Sequence, residues 1–73
     1  MKSRNEVGDW KSMVGELKEV ADKKGITQED IAKRTGYQQP NVSRFFSLRY
    51  IPRLDVFLNI AKAIGVKIKI DRE

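Results

Sequence analysis

The stretch Ile26-Thr27-Gln28-Glu29-Asp30-Ile31-Ala32-Lys33-Arg34-Thr35-Gly36-Tyr37-Gln38-Gln39-Pro40-Asn41-Val42-Ser43-Arg44-Phe45-Phe46 decides how this chain folds. Thr27 is a good helix N-cap, and Asp30 three residues later gives a variant of the capping box. Ile31, Ala32 and Thr35 continue an apolar stripe that Gly36 stops after about two turns. A short helix is therefore expected over Gln28 to Thr35. A second helix opens at Gln38-Gln39-Pro40. The residue before a proline avoids helical angles, and proline itself suits the first helical position. Gln39 is the expected cap and Pro40 the first helical residue, with the helix ending near Ser47. Val42 and one of the adjacent Phe45 and Phe46 turn inward. The other phenylalanine is expected to face a groove toward the next helix, or a partner, while Asn41, Ser43 and Arg44 include the exposed positions.

Upstream, Trp10, Met13, Val14, Leu17, Val20 and Ala21 recur at the spacing of one helical face. Asp9 can cap that helix and Gly25 can stop it. Trp10 reads as a packing residue at the core's edge. Downstream, Leu48 to Ile51 connect, and Pro52 marks the approach to a last helix. There Leu54, Phe57, Leu58, Ala61 and Ile64 again fall at helical spacing, and Gly65 closes the element. The tail Val66-Lys67-Ile68-Lys69-Ile70 alternates apolar and basic residues, the period of a strand. Met1 to Val7 is polar and expected to fray. The reading is one domain over 1–73, with a core from about 9 to 65 and a strand from about 66 to 70.

With 73 residues the chain can build one modest core, so association with a second copy would help its stability. It has no cysteine, which excludes disulfides, thiolate metal sites and a cysteine nucleophile. It has no histidine, the commonest general base and zinc ligand. No nucleophile–base pair or metal cluster is visible, so neither an enzyme nor a cofactor or metal is expected. No segment resembles a signal peptide, and no apolar run approaches the roughly 20 residues that span a bilayer. A cytoplasmic setting and no membrane partner are expected.

The net charge of +5 is unevenly spread. Residues 1–30 carry six basic and seven acidic side chains, and residues 55–73 four and three. Residues 31–54 carry Lys33, Arg34, Arg44, Arg49 and Arg53 and no acid. Such a block suits a polyanion such as DNA, the alternative being a solvated surface that keeps the chain soluble. Two short helices joined by a tight glycine turn form the core of a helix-turn-helix. In that geometry the second helix enters the major groove, N-terminal side chains first. Here that helix opens with Gln38, Gln39 and Asn41 and carries Arg44 a turn later. Amides and guanidinium groups match base-edge donors and acceptors. Gln38 and Gln39 could instead be solvated turn residues.

Thr27-Gln28, Ala32, Gly36, Val42-Ser43-Arg44, Pro52 and Ala61-Lys62-Ala63-Ile64-Gly65, in this order and spacing, resemble the Cro/Xre (phage-repressor-type) helix-turn-helix family over about residues 10–66. The resemblance implies an all-α, compact, lambda-repressor-like domain of four to five helices, here followed by the short C-terminal β-strand. It implies binding to double-stranded operator DNA, commonly as a dimer. By the same resemblance Gln39, Pro40 and Arg44 are base-facing, with Gln38 and Asn41 beside them, while Gln28 and Ser43 contact phosphate. Lys33, Arg34, Arg49 and Arg53 join the phosphate candidates by charge. Three positions depart from the family pattern. Gln38 replaces a usual Ser or Thr, which implies a shifted cap. Phe46-Ser47-Leu48 replaces a frequent Glu-x-Gly, which implies a different loop. Pro40 replaces a hydrogen-bonding side chain, which removes one base contact.

A lone strand has unpaired backbone groups. Its economical partner is the same strand of a second copy across a two-fold axis, with Val66, Ile68 and Ile70 forming the dimer seam. A frayed tail, or pairing with Met1 to Val7, is the alternative. Two functions follow: a sequence-specific transcriptional regulator, expected to be a repressor, or a DNA-binding antitoxin that also holds a toxin protein. Some antitoxins of this superfamily look similar in carrying a short strand after the last helix. Exposed apolar residues such as Phe46, Leu48, Tyr50 and Ile51 would suit a toxin, or equally the packing of the loop before the last helix.

Overall fold

A computed structural model describes residues 9–69. Four helices follow in order: α1 (Trp10–Lys24), α2 (Gln28–Thr35), α3 (Gln39–Phe46) and α4 (Leu54–Ile64). The architecture among the described residues is all-α. Both α3 and α4 pack on α1 and on α2. Val14, Leu17 and Ala21 of α1 meet Ile31 of α2, Val42 and Phe45 of α3, and Phe57, Ile60, Ala61 and Ile64 of α4 in one core. No polar or charged side chain among the described residues is buried. Each fully buried Ile or Val contributes about 1.5–3 kcal/mol through area removed from water.

The helix ends follow from local chemistry. Asp9 accepts the Ser12 backbone N–H at 2.9 Å and caps α1. Helices α1 and α4 close alike. After α1 the Ile26 N–H reaches the Ala21 carbonyl at 2.8 Å, and after α4 the Val66 N–H reaches the Ala61 carbonyl at 2.9 Å. In each, a glycine reverses the chain and the following apolar residue, Ile26 or Val66, packs on the core.

Two expectations are corrected. Helix α3 starts one residue early: Gln38 is its N-cap and Pro40 its second residue. The first four N–H groups of a helix lack intrahelical acceptors, so proline is tolerated at the second position as at the first. The cap therefore stays at Gln38, although its longer amide makes no capping hydrogen bond. Phe45 is the core phenylalanine, but half-buried Phe46 does not face α4. It lies over the α1–α2 corner, beside Ala21, Ile26 and Ile31, with its ring edge-on to Phe45 at 4.9 Å. The expected strand over about 66–70 is not seen over residues 66–69, and Ile70 lies outside the described residues.

Candidate DNA interface

Helix α2 and the turn that follows it are fixed by hydrogen bonds at both ends of the helix. Thr27 and Asp30 exchange bonds at the start of α2: the Asp30 N–H donates to Thr27 Oγ1 and the Thr27 N–H to Asp30 Oδ2, each at 3.0 Å. The Thr27 backbone N–H first, and the Thr27 hydroxyl second, hold the Asp30 carboxyl below the usual aspartate range, with Arg34 and Lys33 adding to the effect. At the far end the Thr35 hydroxyl donates to the Ile31 carbonyl at 2.8 Å and accepts the Tyr37 N–H at 3.1 Å. Gly36 between them sits at φ 83°, a left-handed conformation that side chains disfavour. The Asn59 amide donates to the Tyr37 hydroxyl at 2.8 Å and ties this turn to α4.

Helix α3 is fixed by Val42 and Phe45 on its inner face. Gln38, Gln39, Pro40, Asn41, Ser43 and Arg44 are all exposed. Gln38 to Asn41 form the helix's opening turn, and Arg44 follows one turn on. Arg44 and Asn41 line one shallow groove with Tyr50, Ile51, Pro52 and Arg53, about 410 Å³ in volume and floored by Phe45 and Val56.

The phosphate candidates separate into groups. Gln28 is half-buried in the first turn of α2, beside Phe46. Lys33 lies 3.9 Å from Glu29, an exposed pair worth little. Arg49 and Arg53 stand on the loop after α3, Arg53 paired with Asp55 at 3.0 Å. Arg34 is engaged elsewhere: its Nη1 donates to the Ala63 carbonyl at 2.8 Å. Lys24 Nζ likewise donates to the Ile64 carbonyl at 2.9 Å. These two cations satisfy carbonyls that the end of α4 leaves open.

Two features escaped the sequence reading. One is the role of Lys24 and Arg34 at the end of α4, which depends on how three helices meet. The other is the Arg44 guanidinium carbon, 5.3 Å from the centre of the Tyr50 ring. An aromatic residue six positions after a cation, across a helix end, was its only sequence signal.

Val66 is half-buried and Ile68 is 44% exposed. Ile68 borders two apolar hollows, both lined also by Met13 and Phe57, one of them reaching Trp10, Leu54 and Leu58. Among the described residues no group of acidic side chains could hold a metal, and no helix is long and apolar enough to cross a membrane.

A family model described as "Helix-turn-helix" matches residues 17–70. No curated protein matches the sequence. Among solved structures, a HipB chain from a HipB–O1–O2 complex is 20% identical, with a TM-score of 0.83, covering 94% of this chain and 100% of its own. A substituted HipB from an O2 20mer complex is 21% identical, also with a TM-score of 0.83, covering 96% and 97%. At this identity the likeness is one of fold.

Proposed function

Because this chain belongs to the helix-turn-helix family, of the Cro/Xre type, we propose that it is a non-enzymatic, cytoplasmic, sequence-specific transcriptional regulator, acting as a repressor. It reads double-stranded DNA with α3. The observation that carries this is the exposed opening of α3, where Gln38, Gln39, Pro40, Asn41 and Arg44 stand on a base of buried Val42 and Phe45. Glutamine and asparagine amides match adenine edges and arginine matches guanine. Gln28, Lys33, Ser43, Arg49 and Arg53 flank them as phosphate contacts, with Arg34 also in the acid-free block over 31–54. HipB, of like fold, was solved in an O2 20mer complex, which supports a ligand of that kind for this chain.

The regulator acts as a homodimer. Residues 66–70 pair across a two-fold axis through Val66, Ile68 and Ile70, and the hollows around Met13, Leu54, Leu58 and Ile68 are covered by the second copy. Leu54 at 72% and Leu58 at 41% exposure support this, because apolar helix faces in water gain from mutual burial. The two α3 helices then enter successive major grooves about 34 Å apart.

Selection of bound duplexes from a random pool tests the reading. It should return a near-palindromic motif with that half-site spacing, bound with steeply salt-dependent affinity. A pool that stays random, with no salt-dependent retention of any duplex, rejects it. A second reading, a DNA-binding antitoxin that also holds a toxin protein, draws support from Ile51, which is 74% exposed on the loop after α3. A stable complex with the product of an adjacent toxin gene would favour it.

A further inference from the structure

Resting on the reading of α3 as a groove-entering helix, we propose that Tyr50 is a positioning residue that holds Arg44 ready to read a guanine. Arg44 is exposed at the end of α3 and makes no ion pair among the described residues. A free arginine of this length samples many rotamers and loses that freedom when it binds. The structure supplies a restraint. The Tyr50 ring lies 5.3 Å from the guanidinium carbon, within cation–π range, while Tyr50 itself is 57% exposed and belongs to no core.

The loop that delivers Tyr50 is tied to the backbone of the residue it serves. The Ser47 hydroxyl donates to the Arg44 carbonyl at 2.7 Å and accepts the Arg49 N–H at 3.3 Å. Between them Leu48 takes φ 65°, which turns the chain back so that Tyr50 comes over Arg44. Backbone and side chain of Arg44 are thus both held by one short loop.

The kind of restraint matters. An acidic partner would occupy the N–H edge of the guanidinium, the edge that must meet O6 and N7 of guanine. An aromatic ring in cation–π contact offers no carboxylate to compete for those donors. The contact with Tyr50 therefore restrains the side chain without an ion pair. Ile51 and Pro52 continue the same wall and place apolar surface beside the guanidinium, which weakens competition from water.

Binding of the wild type, Tyr50→Phe, Tyr50→Leu, Arg44→Ala and the Arg44→Ala/Tyr50→Leu double variant tests this. The duplexes are the selected one, a random one, and the selected one with 7-deazaguanine at the guanine whose change Arg44→Ala tolerates. Tyr50→Leu should weaken the selected duplex about tenfold and leave the random duplex unchanged. Tyr50→Phe should stay within about twofold of wild type, because the ring face is kept. Tyr50→Leu should add nothing in the Arg44→Ala background or on the 7-deazaguanine duplex. Additive losses there, or full discrimination by Tyr50→Leu, would overturn the proposal. A wild type that binds selected and random duplexes alike shows a different failure: the groove-reading role of α3 falls, and the positioning role with it.

Discussion

The Arg34 guanidinium donates a 2.8 Å hydrogen bond to the Ala63 carbonyl and so joins the last turn of α2 to the last turn of α4. Charge alone would place Arg34 with the phosphate contacts. The structure gives it a second employment, and the two can be separated. We expect Arg34→Ala to cost about 1 kcal/mol of stability, lowering Tm by roughly 4–8 °C in a chain of this size. The dependence of log K on log salt should stay as in the wild type. A slope shallower by about one unit would put Arg34 back on the DNA backbone.

The capping box of α2 predicts an acid sensitivity. Asp30 is held in its charged form by Thr27. A carboxyl whose folded pKa is depressed stabilises the fold above its ordinary unfolded value, and that contribution disappears as pH falls through the folded value. Thermal melts should therefore drop below about pH 4, and Asp30→Asn should show a smaller drop. Thr27→Ala should cost about 1 kcal/mol at neutral pH. Parallel acid curves for the wild type and Asp30→Asn would remove Asp30 from the account.

Leu48 reverses a familiar order of preference. At φ 65° its side chain carries the strain of the left-handed region. Alanine at this site keeps the strain and loses the side chain; glycine loses the side chain and the strain together. Leu48→Gly should then be more stable than Leu48→Ala by about 1 kcal/mol, despite the greater freedom of glycine in the unfolded chain. Chemical denaturation of the two variants reads the difference, and an alanine variant at least as stable would show that this loop relaxes.

The dimer is tested from its apolar face. Leu54→Glu combined with Ile68→Glu should give a monomer by analytical ultracentrifugation and a Tm that no longer depends on concentration. Truncation after Gly65 should act in the same direction. A dimer mass that survives both changes places the seam elsewhere.

Much of this fold is written locally. The bounds of α1 and α2 follow from Asp9, Thr27 with Asp30, Gly25 and Gly36, because caps and stops act within one turn. The start of α3 was displaced by one residue because proline fits the first turn at more than one position. The inward pair Val42 and Phe45 was partly legible from spacing, but which phenylalanine enters the core depends on the angle at which α3 meets α1. The outward set Gln38, Gln39, Pro40, Asn41, Ser43 and Arg44 was legible for the same reason that the core was: one helix has two faces. What could not be read were contacts that cross between elements. Arg34 to Ala63, Lys24 to Ile64 and Arg44 to Tyr50 depend on where the chain returns in space. The alternation over Val66 to Ile70 is visible, but a ladder needs a second strand that no single copy supplies.

The bonds from Lys24 and Arg34 to the last carbonyls of α4 have a further result. They reach that end from two different helices, and Val66 is bound back to Ala61. The segment leaving α4 therefore starts from a braced exit, aimed before any second copy arrives. In the proposed dimer, an arm launched in a set direction surrenders less freedom on meeting its twin than a loose one, so weakening the brace should slow or loosen pairing.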